Sequence, residues 1–129
     1  MIVVDTSALM AILLGEPESD VCIAVLEAET EVLISAAVLA EALIVAGRRN
    51  VADEMATLID GLELNISSVT PATARRIAKV YEKWGKGAHL AALNFGDCFS
   101  YELATENRCG LLYVGDDFAK TDVEGVLGK

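Results

Sequence analysis

Short apolar runs alternate with longer segments of helical pattern along the whole chain, which has 129 residues. Strands are predicted at residues 2–4, 32–34, within 62–69 and at 111–114, and helices at 8–14, 17–28, 36–48, 51–61, 71–84 and 97–107. Short apolar strands between helices are typical of a parallel sheet that is covered on both sides. The pattern therefore predicts an α/β fold of three layers, with a central, mostly parallel sheet of four or five strands. The length predicts a single domain, residues 1–129.

Polar residues at the ends of the apolar segments set the predicted helix limits. Asp5, Thr6 and Ser7 can each cap the first helix, and Asn50 can cap the fourth. The third helix, residues 36–48, is apolar on nearly every side, which predicts that it is buried.

Three carboxylates lie in apolar surroundings. Asp5 ends the first strand, Asp97 lies where the last helix is predicted to begin, and Glu41 is the only charged residue between Val32 and Ala46. An isolated carboxylate in such surroundings is costly, or takes up a proton, unless a cation compensates it. Asp5 and Asp97 have a structural alternative as helix caps, whereas Glu41 has no Lys or Arg within a helical turn and needs a partner from elsewhere.

Two further acids, Asp116 and Asp117, follow the fourth predicted strand. Ligands of open parallel sheets bind beyond the carboxyl ends of the strands, so Asp5 and this pair are expected at the same edge. Converging carboxylates are a ready site for Mg²⁺ or Mn²⁺, which prefer oxygen ligands. The alternative is that the two acids, like Asp122, belong to turns.

The charge of the chain is unevenly distributed. A net charge of −10 taken alone argues against a nucleic-acid partner, yet half of the ten basic residues lie within residues 75–86. Four of them follow helical spacing and share one face, here called the basic face: Arg75, Lys79, Lys83 and Lys86. It is either a solvated surface or a contact for an RNA backbone. His89, in the following loop, is either an exposed loop residue or a phosphate or base contact.

The remaining composition indicates a cytoplasmic protein with no membrane segment. The three cysteines, Cys22, Cys98 and Cys109, are odd in number and lack C-x-x-C spacing, which argues for a reducing compartment and against disulfides or a zinc site. No uncharged stretch approaches the roughly 20 residues of a membrane helix, and the apolar N-terminus lacks a basic leader.

Taken in order, several segments resemble the PIN-domain ribonucleases, in particular the VapC toxins of bacterial and archaeal toxin–antitoxin pairs. The resemblance covers essentially the whole chain. It is carried by residues 2–9 (IVVDTSAL), 40–43 (AEAL), 93–101 (LNFGDCFSY) and 111–118 (LLYVGDDF), with Thr121 and Asp122 completing it. It implies a PIN-like fold and an endoribonuclease that hydrolyses RNA with Mg²⁺, or with Mn²⁺ as the alternative, leaving a 5′-phosphate and a 3′-hydroxyl.

The resemblance also implies roles for particular residues. Asp5, Glu41 and Asp97 correspond to the first three members of the family's acidic quartet, with Asp5 and Asp97 as metal ligands. The fourth member departs from the frequent D-x-D-F pattern, because Gly115 occupies the first acidic position. Asp117 is therefore the assigned fourth acid, and Asp116 stays open as an alternative.

Thr6 and Ser7 are expected to orient the phosphate or to hold Asp5. The partners that the resemblance implies are RNA, a VapB-type antitoxin and a second copy of the chain.

Two competing interpretations follow from the residues themselves. A PIN-like fold with an irregular fourth acid could bind RNA or protein without cleaving it. A phosphatase or receiver domain would use Asp5 as a nucleophile or phosphate acceptor, but the second acids that such domains place near the first strand are missing here.

Overall fold

Four short parallel strands form the sheet at the centre of the molecule. In the computed structural model, which describes residues 1–128, the strands are β1 (Ile2–Val4), β2 (Val32–Ser35), β3 (Asn65–Ser67) and β4 (Gly110–Leu112). Their order is β3-β2-β1-β4, and every pairing is parallel. All residues of β1, β2 and β4 are buried, as expected for strands covered on both faces. The predicted α/β class and parallel sheet are confirmed.

Two helices connect each strand to the next. They are α1 (Thr6–Leu13) and α2 (Ser19–Ala28), then α3 (Ala36–Arg48) and α4 (Ala52–Leu62), then α5 (Pro71–Trp84) and α6 (Phe95–Glu106). A short 3₁₀ turn, Phe118–Lys120, follows β4. Because β2 and β4 flank β1 on opposite sides, the strand order reverses at β1. In sheets of this kind a crevice opens beyond the carboxyl ends of the two strands at the reversal, here β1 and β4.

Three predicted helix starts are wrong, and each error has a local cause. Helix α1 begins at Thr6 rather than residue 8, because Asp5 is its cap and accepts the N–H of Ser7. Helix α6 begins at Phe95 rather than residue 97, because Asn94 caps it. Helix α2 begins at residue 19, two residues after the predicted start, because residues 16–18 form a turn.

Two other boundaries also shift. The cap position of α4 is Val51, since Asn50 adopts a left-handed backbone with φ of 61° and lies outside the helix. Strand β4 pairs with β1 through Gly110, Leu111 and Leu112, so it begins and ends earlier than predicted.

The prediction that α3 is buried on nearly every side is wrong. A single stripe at intervals of four residues, Val38, Ala42 and Ala46, packs into the core, while Leu43 and Ile44 are 45% and 59% exposed. An apolar sequence cannot reveal which of its faces the rest of the fold covers. The exposed side of α3 is therefore available for contacts with other molecules.

No helix within residues 1–128 is both long enough and apolar enough to cross a bilayer. All three cysteines are free thiols; Cys22 and Cys98 are buried, and Cys109 is partly buried.

Candidate active site

Asp5 lies at the carboxyl end of β1 with only 3% of its surface exposed. Its backbone N–H donates to the carbonyl of Leu112 at 3.0 Å, which continues the pairing of β1 with β4. Its carboxylate accepts hydrogen bonds from the Ser7 N–H (3.1 Å) and hydroxyl (2.7 Å) at Oδ2, and from the Ser100 hydroxyl (2.5 Å) at Oδ1. These three donors are all neutral, and no ion pair within residues 1–128 involves Asp5.

Ser7 and Thr6 hold different carboxylates. The Ser7 hydroxyl, besides donating to Asp5, accepts the N–H of Val114 at 3.1 Å and so ties the start of α1 to the segment after β4. The Thr6 hydroxyl instead donates to Glu41 Oε1 at 2.7 Å. Thr6 and Ser7 were both predicted to hold Asp5 or to orient the phosphate. In the structure, Ser7 is hydrogen-bonded to Asp5, whereas Thr6 is hydrogen-bonded to Glu41.

Glu41 extends from α3 toward the first turn of α6. Burial raises the pKa of Glu41, repulsion from Asp5 raises it further, and the Thr6 hydrogen bond acts in the opposite direction. Its carboxylate lies against Gly96, so closely that a β-carbon on residue 96 would overlap it. The absence of a side chain at this position is thus what lets α6 and Glu41 approach each other.

Asp97 occupies the first turn of α6, where it has a capping role. Its Oδ2 accepts the Asn94 N–H at 3.0 Å, while its own N–H donates to Asn94 Oδ1 at 2.9 Å, a reciprocal capping box. Burial nevertheless raises the pKa of Asp97 to about 7, against the opposing effect of the Asn94 N–H. Repulsion from Asp5, Asp117 and Glu41 adds to the increase.

The two acids after β4 differ in which groups of the site they act on. Asp5, Glu41 and Asp117 each raise the pKa of Asp97, whereas Asp116 acts on Tyr113, whose pKa it raises together with burial. Both acids after β4 are exposed. These charge effects favour Asp117 over Asp116 as the fourth acid of the candidate site.

The donor set suits a hard divalent cation. The ion pairs within residues 1–128 join Met1 to Glu29 and Arg76 to two glutamates, so none of them neutralises the four clustered acids. As the side chains stand, no group of three or more His, Cys, Asp and Glu in that part of the chain is close enough to hold a metal ion. Mg²⁺ keeps several waters and needs only one or two direct carboxylates. Direct contacts from two of the four acids, with water between the ion and the other two, therefore match the coordination that Mg²⁺ prefers.

Three residues of the basic face, Arg75, Lys79 and Lys83, lie on α5, which packs against α6. Lys86 follows the end of that helix, so the prediction that all four share one helical face is wrong for Lys86. All four side chains are exposed. The neighbouring Arg76 turns instead toward α6, where its Nε lies 2.7 Å from Glu102 and 2.9 Å from Glu106. Lys83 places its ammonium 4.9 Å from the centre of the Trp84 ring. In the described part of the chain, none of the ion pairs involves a residue of the basic face.

His89 takes part in the structure of its own loop. Its Nδ1 accepts the N–H of Ala91 at 2.9 Å, and its ring stands edge-on to Trp84 with 4.6 Å between ring centres. The side chain as a whole is exposed, so Nε2 is the atom left for an external contact.

Sequence reasoning missed three supporting residues. Ser100 and Gly96 both lie within one helical turn of Asp97, and that spacing was the available signal. The third, Tyr101, donates its hydroxyl to Asp122 and accepts from Trp84 Nε1 at 3.0 Å. Its pKa is raised to about 12, chiefly by burial. Asp122 is therefore more than a turn residue, since it anchors the segment after β4 to α6.

The fold and the candidate site together place the chain in the class of α/β proteins that have a parallel sheet with carboxylates beyond the carboxyl ends of its strands, here β1 and β4. The family model described as "PIN domain" matches residues 2–124, and the chain belongs to this family. It is similar to ribonuclease VapC36 of Mycobacterium tuberculosis, with 39% identity over 133 residues covering 98% of this chain and 95% of the relative. Ribonuclease VapC30 of the same organism is 37% identical, covering 96% of this chain and 97% of the relative.

Solved structures agree with this assignment. The crystal structure of M. tuberculosis VapC20, described as a sarcin-ricin loop cleaving toxin, matches with a TM-score of 0.79 and 17% identity over 98% of both chains. A toxin–antitoxin complex from Klebsiella pneumoniae matches with a TM-score of 0.70 and 18% identity, over 95% of this chain and 93% of the other. The family resemblance and the PIN-like fold are confirmed.

Proposed function

We propose that this protein is a Mg²⁺- or Mn²⁺-dependent endoribonuclease and the toxin of a toxin–antitoxin pair. The observation that carries the proposal is the cluster of Asp5, Glu41, Asp97 and Asp117. Four parts of the chain supply one acid each, and no ion pair within residues 1–128 involves any of the four. Burial and repulsion from neighbouring acids raise the pKa of Glu41 and Asp97. The names of the relatives, which are VapC ribonucleases at 37–39% identity over nearly the whole chain, support the same activity.

In the proposed mechanism the acids divide into two pairs. Asp5 and Asp97 would hold the metal ion, because Asp5 is fixed by three donors and Asp97 by the capping box. Glu41 and Asp117 accept hydrogen bonds from the attacking water and orient it toward the phosphorus atom. The chemistry that Mg²⁺ would supply there is Lewis acidity toward the scissile phosphate and compensation of the charge on the leaving 3′ oxygen.

Incubation of the purified protein with total cellular RNA tests the proposal. With Mg²⁺ or Mn²⁺ we expect cleavage at discrete sites, and mapping of the ends should give 5′-phosphates and 3′-hydroxyls. EDTA should abolish the cleavage, and restored metal should return it. Cleavage that persists in EDTA, or ends that carry a 2′,3′-cyclic phosphate, would contradict the metal-dependent hydrolysis.

We propose that the basic face guides the RNA backbone toward the carboxylates. Lys79→Glu combined with Lys83→Glu is expected to weaken RNA binding and to reduce the slope of log affinity against log salt by about 1.4, since each contact with a single strand contributes about 0.7. Filter binding between 50 and 300 mM salt measures both quantities, with Ca²⁺ in place of Mg²⁺ to prevent cleavage.

The matched control reverses the same number of charges elsewhere, with Arg49→Glu and Arg108→Glu. These side chains are also exposed and lie outside α5. If the control lowers the affinity and the slope as much as the double reversal on the basic face, the effect is one of net charge and the basic face is only a solvated surface.

The proposed partners are a VapB-type antitoxin and a second copy of the chain. A fold match to a toxin–antitoxin complex supports the first, and an antitoxin Arg or Lys inserted among the carboxylates would supply their missing cation. Exposed apolar side chains at Ile44 and Phe95, 59% and 73% exposed, support the second. The free cysteines support a cytoplasmic location.

A competing function is that of a binding module without catalysis. The observation in its favour is that no three of the acids within residues 1–128 approach closely enough to hold a metal ion as they stand. Such a module would bind RNA or protein but would leave RNA intact in the presence of Mg²⁺ and Mn²⁺.

A further inference from the structure

We infer that Ser100 is a positioning residue. It holds the carboxylate of Asp5 in a fixed orientation relative to Asp97 and thereby determines the metal affinity of the site. The inference rests on the proposed function, because it assumes that Asp5 and Asp97 hold the metal ion. Ser100 is fully buried, and its hydroxyl donates to Asp5 Oδ1 at 2.5 Å. A side chain with no exposed surface cannot reach RNA, so Ser100 does not act by contacting the substrate.

The placement of Ser100 on α6 gives this hydrogen bond its importance. Residues 97 and 100 are three positions apart and therefore lie on the same side of the helix. Asp5, in contrast, ends β1, and α6 packs across β1, β2 and β4. Helix α6 thus carries one proposed ligand, Asp97, and is hydrogen-bonded to the other, Asp5, through Ser100. This contact links the positions of the two carboxylates.

The orientation of the Asp5 carboxylate depends on this contact. Both donors of Ser7 bind Oδ2, whereas Ser100 binds Oδ1. The terminal torsion of an aspartate has a broad energy profile, so an oxygen that loses its donor is free to rotate away. Supporting hydrogen bonds of this kind around metal ligands typically change metal affinity by about 10- to 100-fold.

The hydroxyl of Thr105, on the same helix, offers a comparison with that of Ser100. It donates to the carbonyls of Tyr101 and Glu102 within its own helix, which is the usual local bond of Ser and Thr in helices. The Ser100 hydroxyl makes its bond across to another element instead. Thr105→Ala is therefore the control, since it removes a hydroxyl, together with one methyl group, from an exposed position of α6 whose hydroxyl bonds within its own helix.

The test measures Mn²⁺ binding by calorimetry, RNA cleavage over a range of Mn²⁺ concentrations, and the melting temperature in EDTA. Ser100→Ala is expected to weaken Mn²⁺ binding by about 10- to 100-fold. Cleavage should fall at low Mn²⁺ and recover largely at saturating Mn²⁺. Ser100→Thr keeps the hydroxyl and should restore affinity toward that of the wild type, whereas Thr105→Ala should leave affinity unchanged. A purely structural role would lower the melting temperature in EDTA without changing the affinity of the folded protein for Mn²⁺.

The outcomes separate this inference from the proposed function. If the wild-type protein cleaves RNA with Mn²⁺ and Ser100→Ala binds Mn²⁺ equally well, the positioning role is wrong and the proposed function stands. If the wild type neither binds Mn²⁺ nor cleaves RNA, both are wrong. Should Ser100→Ala fail to fold, Ser100→Cys compared with Ser100→Thr decides. A thiol is a weak donor, so equal Mn²⁺ affinity of those two variants would overturn the inference.

Discussion

Replacement of Asp97 by Asn is expected to lower metal-dependent RNA cleavage by about a thousandfold or more, because it removes one of two charged ligands from the site. The same change should stabilise the metal-free protein at pH 8. The Asn side-chain oxygen can still accept the Asn94 N–H, so the capping box survives, while a buried and repelled charge disappears. A loss of activity combined with a gain of stability would distinguish a functional carboxylate from a structural one.

The pH dependence of this gain follows from the direction of the pKa shift. The folded pKa of Asp97, about 7, lies above the ordinary value of 3.8, so folding favours the protonated form. Asp97 therefore costs no stability below pH 3.8, and its cost grows as the pH rises from 3.8 to about 7. Thermal unfolding in EDTA should show a larger difference between Asp97→Asn and wild type at pH 8 than at pH 5.

Asp5→Asn should abolish cleavage to the same extent but should not stabilise the protein. Three donors converge on the Asp5 carboxylate, and an amide nitrogen cannot accept from any of them. Asp60→Asn, which removes an exposed charge from α4, is the control for net charge and should retain full activity. Full activity in both Asp5→Asn and Asp97→Asn would contradict the proposed mechanism. RNA binding without cleavage by the wild type would support the competing binding module.

The order of elements and the principal acids were predictable from the sequence, because both depend on local patterns. Short apolar runs identified the strands, and the rule that sites lie beyond strand ends brought Asp5 and Asp117 to one edge. Contacts between distant segments were not predictable in this way. Nothing local indicates that Thr6 reaches Glu41 rather than Asp5, since residues 6 and 41 meet only when α1 packs against α3.

Capping chemistry and exposure limited the prediction for a different reason. Asp5 and Asp97 are caps and also members of the cluster, so a capping role, treated along the sequence as an alternative to a functional one, does not exclude a place in the candidate site. Leu43 and Ile44 were expected to be buried because their helix is apolar, but burial depends on which elements pack against α3.

Addition of one methyl group at residue 96 is expected to displace Glu41 and to reduce cleavage by about 10- to 100-fold. An ideal β-carbon there would overlap Glu41 Oε2 and would lie 2.8 Å from its carboxyl carbon. Residue 96 is in the first turn of α6 with an ordinary helical backbone, where Ala is intrinsically preferred over Gly by about 1 kcal/mol. Any loss of stability in Gly96→Ala must therefore come from the clash with Glu41.

A double-mutant cycle isolates that clash. Gly96→Ala should destabilise the protein when Glu41 is present, but should be neutral or stabilising in a Glu41→Ala background, where the overlapping atoms are gone. Gly47→Ala in α3 is the matched control, because its β-carbon would meet no atom within 4 Å, and it should stabilise by about 0.5–1 kcal/mol without loss of activity. Unfolding free energies in denaturant and cleavage rates in Mn²⁺ give the comparison. If Gly96→Ala keeps wild-type activity and its stability effect does not depend on residue 41, the close approach of Glu41 to α6 has no part in the reaction.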